Sequence, residues 1–184
     1  MLRGGCYLAF AASPETLGIE ETVMDKYQQS QKNKLFKPQH GDPYLELPSS
    51  GTALCPQCGV TYHRGHWSWK SAAPSDAQSV VCPACRRIAD DQPAGILHLG
   101  GKFLGEHRQE ILNLIHNTEA AEKTAHALER LLKVTDKDDG LEVTTTGMHL
   151  ANRIGHALNA AYKGHSEYHY SDDENSVHIR WQRD

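Results

Sequence analysis

Cys55-Pro56-Gln57-Cys58-Gly59 and Cys82-Pro83-Ala84-Cys85 place four of the chain's five cysteines in two tight pairs, with 23 residues between Cys58 and Cys82. Each CPxC turn sets two sulfurs on one side of a tight loop. Two such loops together supply four thiolates at the corners of a tetrahedron, the donor set that suits Zn²⁺. Proline after the first cysteine stiffens each loop, and Gly59 lets the backbone fold back beneath the ion without a Cβ clash. A complete four-cysteine set leaves no open coordination position, which argues for a structural ion and against catalysis at it. His63 and His66 lie between the pairs and are unnecessary as ligands. The competing reading is two metal-free, redox-active thiol pairs. A thioredoxin-type CxxC is a single motif at a strand-to-helix junction, whereas these two lie among turn residues.

No second constellation of this strength follows. Zinc nucleobase deaminases need H-x-E ahead of P-C-x-x-C. Here the proline lies inside Cys82-Pro83-Ala84-Cys85, and the chain's H-x-E, His165-Ser166-Glu167, comes after it. There is neither H-E-x-x-H nor a Walker A loop. Thr144–Thr146 precedes a helix bearing Arg153 and could hold an anion at its N-terminus; two strand residues and an N-cap are the plainer reading. Among twelve histidines, His149 and His156 lie seven apart on one helix. They flank its apolar stripe rather than converge with a carboxylate, and read as solvated or second-layer side chains rather than ligands. The chain is therefore expected to be non-enzymatic.

The 184 residues carry a formal charge of −4 and suit one ordinary domain or two small ones. No run approaches the roughly 18 apolar residues of a membrane span. Met1–Ala12 imitates a weak signal peptide, but its apolar stretch is short, and Met24 could be the true start. Committing four of five cysteines to a metal fits a reducing, cytoplasmic setting; Cys6 has no assigned role. Charge is uneven: residues 24–88 carry eight Lys/Arg against four Asp/Glu, while residues 89–184 carry ten against sixteen. Such asymmetry points to a nucleic-acid-facing end, although four thiolates around Zn²⁺ take back two charges.

The elements that must position the cysteines divide the chain in three. Residues 1–52 form an N-terminal arm, polar and basic over 24–52, with Lys32, Lys34 and Lys37 available to phosphates. Residues 53–92 form a zinc ribbon around the four cysteines. Arg64 lies in its inter-pair loop, and Arg86 and Arg87 directly follow the second turn. Trp67 and Trp69 share parity, so on a strand they share a face; they either pack over the metal or on the neighbouring domain, or stack unpaired bases. Residues 93–184 read as helix, hairpin, helix, hairpin. Leu104, Ile111, Leu112 and Ile115 recur at helical spacing over Phe103–Asn117, and Glu119–Ala127 is helix-compatible. Leu128–Thr135 and Leu141–Thr145 flank the turn Asp136–Gly140. Thr146 caps a helix over Gly147–Lys163, and Gly164 stops it. Tyr168 and Tyr170, then Val177, Ile179 and Trp181, alternate with polar residues around a turn at Asp172–Asn175. The expected class is α+β: a zinc ribbon followed by a small antiparallel sheet with helices on one face.

Several longer motifs carry a resemblance. CPxCG, Tyr62-His63-x-Gly65-x-Trp67, CPACRRIADDxPAG (82–95), EHRxEILNLIxNxExAEK (106–123), VTTTxMHLAxRIGxAL (143–158) and AYKG (161–164) together resemble a small bacterial family. That family is described as NMD proteins affecting ribosome stability and mRNA decay, and the likeness spans about residues 50–182. Its name reflects a distant similarity to the archaeal and eukaryotic adaptor of the large ribosomal subunit. The adaptor carries four cysteine pairs where this chain has two. The resemblance implies an RNA-binding, ribosome-associated protein with a role in ribosome stability or mRNA decay. Arg64, Trp67, Trp69, Arg86, Arg87 and the lysines of the arm are then the RNA contacts, and the acidic C-terminal domain meets a protein partner. The alternative is a protein–protein adaptor whose zinc ribbon is purely structural. Neither reading involves a membrane or a small-molecule substrate.

Overall fold

Strand β5 (Gly95–Gly100) lies at the centre of the larger of two sheets. The computed structural model describes residues 42–44, 48, 51–69, 74–171 and 175–184. Lys32, Lys34, Lys37 and Cys6 lie outside the described residues. His40–Asp184 forms one compact unit.

The first sheet is built from short pieces: β1 (Thr52–Leu54), β2 (Thr61–His63), β3 (His66–Ser68) and β4 (Gln78–Ser79), in the order β3-β2-β1-β4. β2 and β3 form a hairpin closed by Arg64 and Gly65, both at positive φ (48° and 89°), the backbone that a two-residue hairpin turn demands. Helix α1 (Pro83–Asp90) follows.

Beyond β5, helix α2 (Lys102–Ala125) leads to the hairpin β6 (Leu131–Lys137) and β7 (Gly140–Thr145). Helix α3 (Met148–Tyr162) then leads to β8 (His165–Ser171) and β9 (Ser176–Gln182). The sheet order is β6-β7-β5-β9-β8. The class is α+β as expected, with α2 and α3 on one face. The expected antiparallel sheet is in fact mixed, because β5 pairs antiparallel with β7 but parallel with β9. The two hairpins therefore do not pair with each other; β5 is wedged between them. The helix over Phe103–Asn117 and the stretch after it are one α2, which departs from helical φ/ψ at His107.

Strand alternation builds the core. Leu97 and Leu99, Leu141 and Val143, and Val177, Ile179 and Trp181 all face the helices. Ile111 and Ile115 of α2, and Leu150, Ile154 and Leu158 of α3, close over them. The opposite face bears His98, Glu142, Arg180, His169 and His178, aligned by the register. Gly101 turns β5 into α2 at φ +96°; a Cβ there would sit 2.0 Å from the Arg183 carbonyl oxygen, so only glycine fits. Gly147, rather than Thr146, is the α3 N-cap. Thr146 is occupied across the strand ends, where its hydroxyl accepts from Arg130 N and donates to Leu128 O at 2.6 Å.

Trp181 is fully buried beneath α2 and α3, and its indole N–H donates to Lys163 O at 3.0 Å. Trp181→Ala is expected to cost about 3–5 kcal/mol through lost burial and a residual cavity. Chemical denaturation reads this directly; a change below about 1 kcal/mol would mean the site collapses without penalty.

Candidate metal centre

The first cysteine pair is set by the end of β1. Cys55 N donates to Val60 O and Gly59 N to Cys55 O, each at 2.9 Å, folding residues 55–60 into a knuckle. Gly59 at φ +77° makes the return. The second pair opens a helix shortly after β4, not a turn as its flanking residues suggested, so only the first pair lies in a turn. Cys82 is the N-cap of α1, Pro83 occupies its first turn, and Cys85 N points at Cys82 Sγ at 3.5 Å. Proline suits this position because its missing N–H would have had no intrahelical partner. The helix N-terminus also favours negative charge on the two sulfurs.

The four Sγ atoms lie within 4.8 Å of one another, with Cys58 Sγ and Cys82 Sγ 3.7 Å apart. Metal–sulfur bonds of about 2.3 Å at tetrahedral angles put sulfurs about 3.8 Å apart, so the donor set fits a metal ion. Cys55 and Cys82 are buried to 1% and 0% exposure, while Cys58 is only partly buried. Burial pushes the Cys82 thiol up. It would do the same to Cys55, but backbone N–H groups of Cys82, Cys58 and Gln57 outweigh it and bring that thiol down to about 6. Cys82 N itself lies 3.4 Å from Cys55 Sγ.

One further side chain completes the centre, and it comes from the connection between α2 and β6. Arg130, 8% exposed, precedes β6 and directs Nη2 at Cys82 Sγ (3.2 Å) and Cys85 Sγ (3.3 Å). Burial alone would pull the guanidinium pKa down; the Cys85 and Cys82 thiolates outweigh it and hold it up. A four-thiolate site around a divalent ion carries two surplus negative charges, and Arg130 offsets one of them inside the protein. Ala127 and Leu128 pack against the same cysteines. Contacts from residues 127, 128 and 130 thus reach the cysteines across the boundary placed after residue 92.

The residues expected at an RNA surface fare differently. Arg64 is exposed at the β2–β3 tip. Arg87 is 6% exposed, because α1 turns it inward. It pairs with Asp42 at 2.6 Å, donates to Gln92 O at 3.0 Å and lies over the Tyr44 ring. Arg86 donates to Tyr44 O at 2.9 Å. Trp67 is partly buried against the cysteine cluster and tilted on Tyr62, with ring centres 5.3 Å apart. Trp69 donates its indole N–H to Lys123 O at 2.9 Å, tying the first sheet to α2. Arg86, Arg87 and Trp69 are thus engaged within the fold. No sequence signal marked Arg130, which lies 48 residues from Cys82 and read as an ordinary strand residue.

A second group of donor side chains was also unforeseen. His149, read as solvated, meets a carboxylate: its Nε2 is 3.0 Å from Glu122 Oε2. His156 stacks on Tyr168, with ring centres 5.6 Å apart.

No protein-family model, no curated protein and no solved structure matches this chain. Among the described residues, no helix is long and apolar enough to cross a membrane.

Proposed function

We propose that this chain is a non-enzymatic cytoplasmic adaptor built on a structural zinc site. Zn²⁺ is the ion that four thiolates at these spacings favour, and it would be held by Cys55, Cys58, Cys82 and Cys85. The observation that carries the reading is the Arg130 contact to Cys82 and Cys85. It makes the centre a joint between the cysteine module and the α+β body. Trp69, bonded to Lys123 O of α2, adds a second contact across the same joint. What remains outward is the polar sheet face around His98, His169, His178 and Arg180, a surface suited to a protein partner. Crosslinking in cells, followed by identification of bound protein and RNA, tests this. Protein crosslinks mapping to β8 and β9 are expected; crosslinks to RNA alone would overturn it.

A second reading, RNA binding at the ribosome, keeps one specific observation in its favour: Arg64 is exposed at a hairpin tip between His63 and His66. If RNA docks there, affinity for ribosomal RNA or intact subunits falls steeply with salt. The log–log slope is then about 0.7 per single-strand phosphate contact. Arg64→Ala should flatten that slope by about one such contact while the metal stays bound. No binding at low salt, or binding indifferent to Arg64→Ala, removes this reading.

A further inference from the structure

We propose that Glu122, His126 and His149 form a second metal site, for a divalent ion of the zinc–nickel class. One ligand atom from each residue lies within 4.8 Å of the other two. Glu122 projects from the last turns of α2, His126 is the residue that ends α2, and His149 stands in the first turn of α3. The helix period brings Glu122 and His126 to one face, since they are four apart; the fold supplies His149 from the start of the next helix. Two imidazoles and a carboxylate suit zinc, copper, iron and nickel rather than magnesium or calcium.

The geometry goes beyond chance proximity. Glu122 is a buried carboxylate, its side chain 11% exposed, and its two oxygens are divided. Oε1 accepts from Arg153 Nε at 2.7 Å, which fixes the plane of the carboxylate. Oε2 is left facing His149 Nε2 at 3.0 Å. Bonds of about 2.1 Å at tetrahedral to octahedral angles put donors about 3.0–3.4 Å apart, so this pair already has the required spacing. The exposed His126 ring stands edge-on to His149, with ring centres 5.0 Å apart, and turns about its side-chain torsions to complete the set. Glu129 lies behind them and accepts from Leu150 N at 2.8 Å; burial pushes its carboxyl pKa up. The positive charge of Arg153 opposes a cation here, so this site is weaker than the four thiolates. An open groove of about 780 Å³ between α2 and α3 reaches Glu122 and Arg153, on the side of the carboxylate away from the two histidines.

An ion here also has a structural consequence. His126 begins the connection that continues through Ala127 and Leu128, packed on the cysteines, to Arg130 on the thiolates. Pinning His126 to α3 pins that connection. The site does not depend on the adaptor reading.

The test uses the full chain with its cysteine site already filled with zinc. Equilibrium dialysis against Zn²⁺ and metal analysis should give two ions per chain in the wild type. His126→Ala and His149→Asn should each bind the first ion normally and weaken the second by more than about 100-fold, since even residues behind ligands matter 10–100-fold. Both side chains are exposed, so unfolding of the one-ion forms should match the wild type. Co²⁺ added to the zinc-filled protein should give only weak nitrogen–oxygen ligand-field bands, lost in both variants, with no sulfur charge-transfer band. One ion per chain at saturation in the wild type, or two in both variants, would overturn the proposal.

Discussion

Cys82→Ser is expected to abolish stable zinc binding and to unfold the cysteine module, the largest single effect in the molecule. The substitution is chosen because it separates two roles of one residue. Serine is an excellent N-cap, so the local start of α1 survives the change. The thiolate does not survive, and Cys82 Sγ is the sulfur that meets Cys58 Sγ, Cys85 N and Arg130. Structural zinc supplies about 10–16 kcal/mol of apparent binding energy in small metal modules, comparable to the roughly 5–15 kcal/mol that holds a typical domain together. Metal analysis should therefore find wild-type protein carrying the thiolate-bound ion and Cys82→Ser protein without it. Hydrogen exchange should show lost protection over 52–91. Because Ala127, Leu128 and Arg130 rest on the cysteines, protection should also fall at 126–130, while the core strands β5, β7 and β9 stay protected. Equal zinc content in the two proteins would sink the four-cysteine assignment. Uniform loss along the chain would mean that the ion holds the whole fold, not only the joint.

What could be read ahead of the structure was whatever the chain keeps local. Both cysteine pairs are three apart, so their spacing alone announces a ligand set. α2 and α3 announce themselves through apolar residues at helical period, and the two hairpins through alternation around Asp/Gly/Asn turns. β5 escaped because Ile96–Leu99 is a short apolar run between Pro93-Ala94-Gly95 and Gly100-Gly101. Such a run carries too little periodicity to be told from a linker. Its burial alternates cleanly once it is paired on both sides. The arginines illustrate a different limit. Composition counts the charges of Arg86 and Arg87 but not their direction. With the second cysteine pair opening α1, the helical turn carries Arg87 inward to Asp42. Arg130 and the Glu122–His126–His149 group were illegible for a third reason: each depends on residues that only the folded chain brings together.

Arg130→Met tests that long-range contact most directly. The side chain is buried, and its guanidinium faces two thiolates. Methionine fills similar volume without charge, so lost packing is kept small and lost electrostatics dominates. Removing one partner of a buried charged pair costs about 3–5 kcal/mol, because the other charge is left uncompensated. Here the uncompensated charge is the thiolate cluster itself, so the metal should feel the change as well as the fold. Arg130→Lys supplies the control: it keeps the charge but offers a compact ammonium instead of a planar fork. Zinc transfer to an excess of chelator should be slowest in the wild type, faster in Arg130→Lys and fastest in Arg130→Met, with denaturation midpoints in the reverse order of release rate. If Arg130→Met loses stability but releases zinc at the wild-type rate, Arg130 is only a packing residue at the joint. If rate and midpoint shift together and Arg130→Lys falls between, the arginine acts on the ion through the sulfurs. The α+β body then takes part in holding the metal that folds the module beside it.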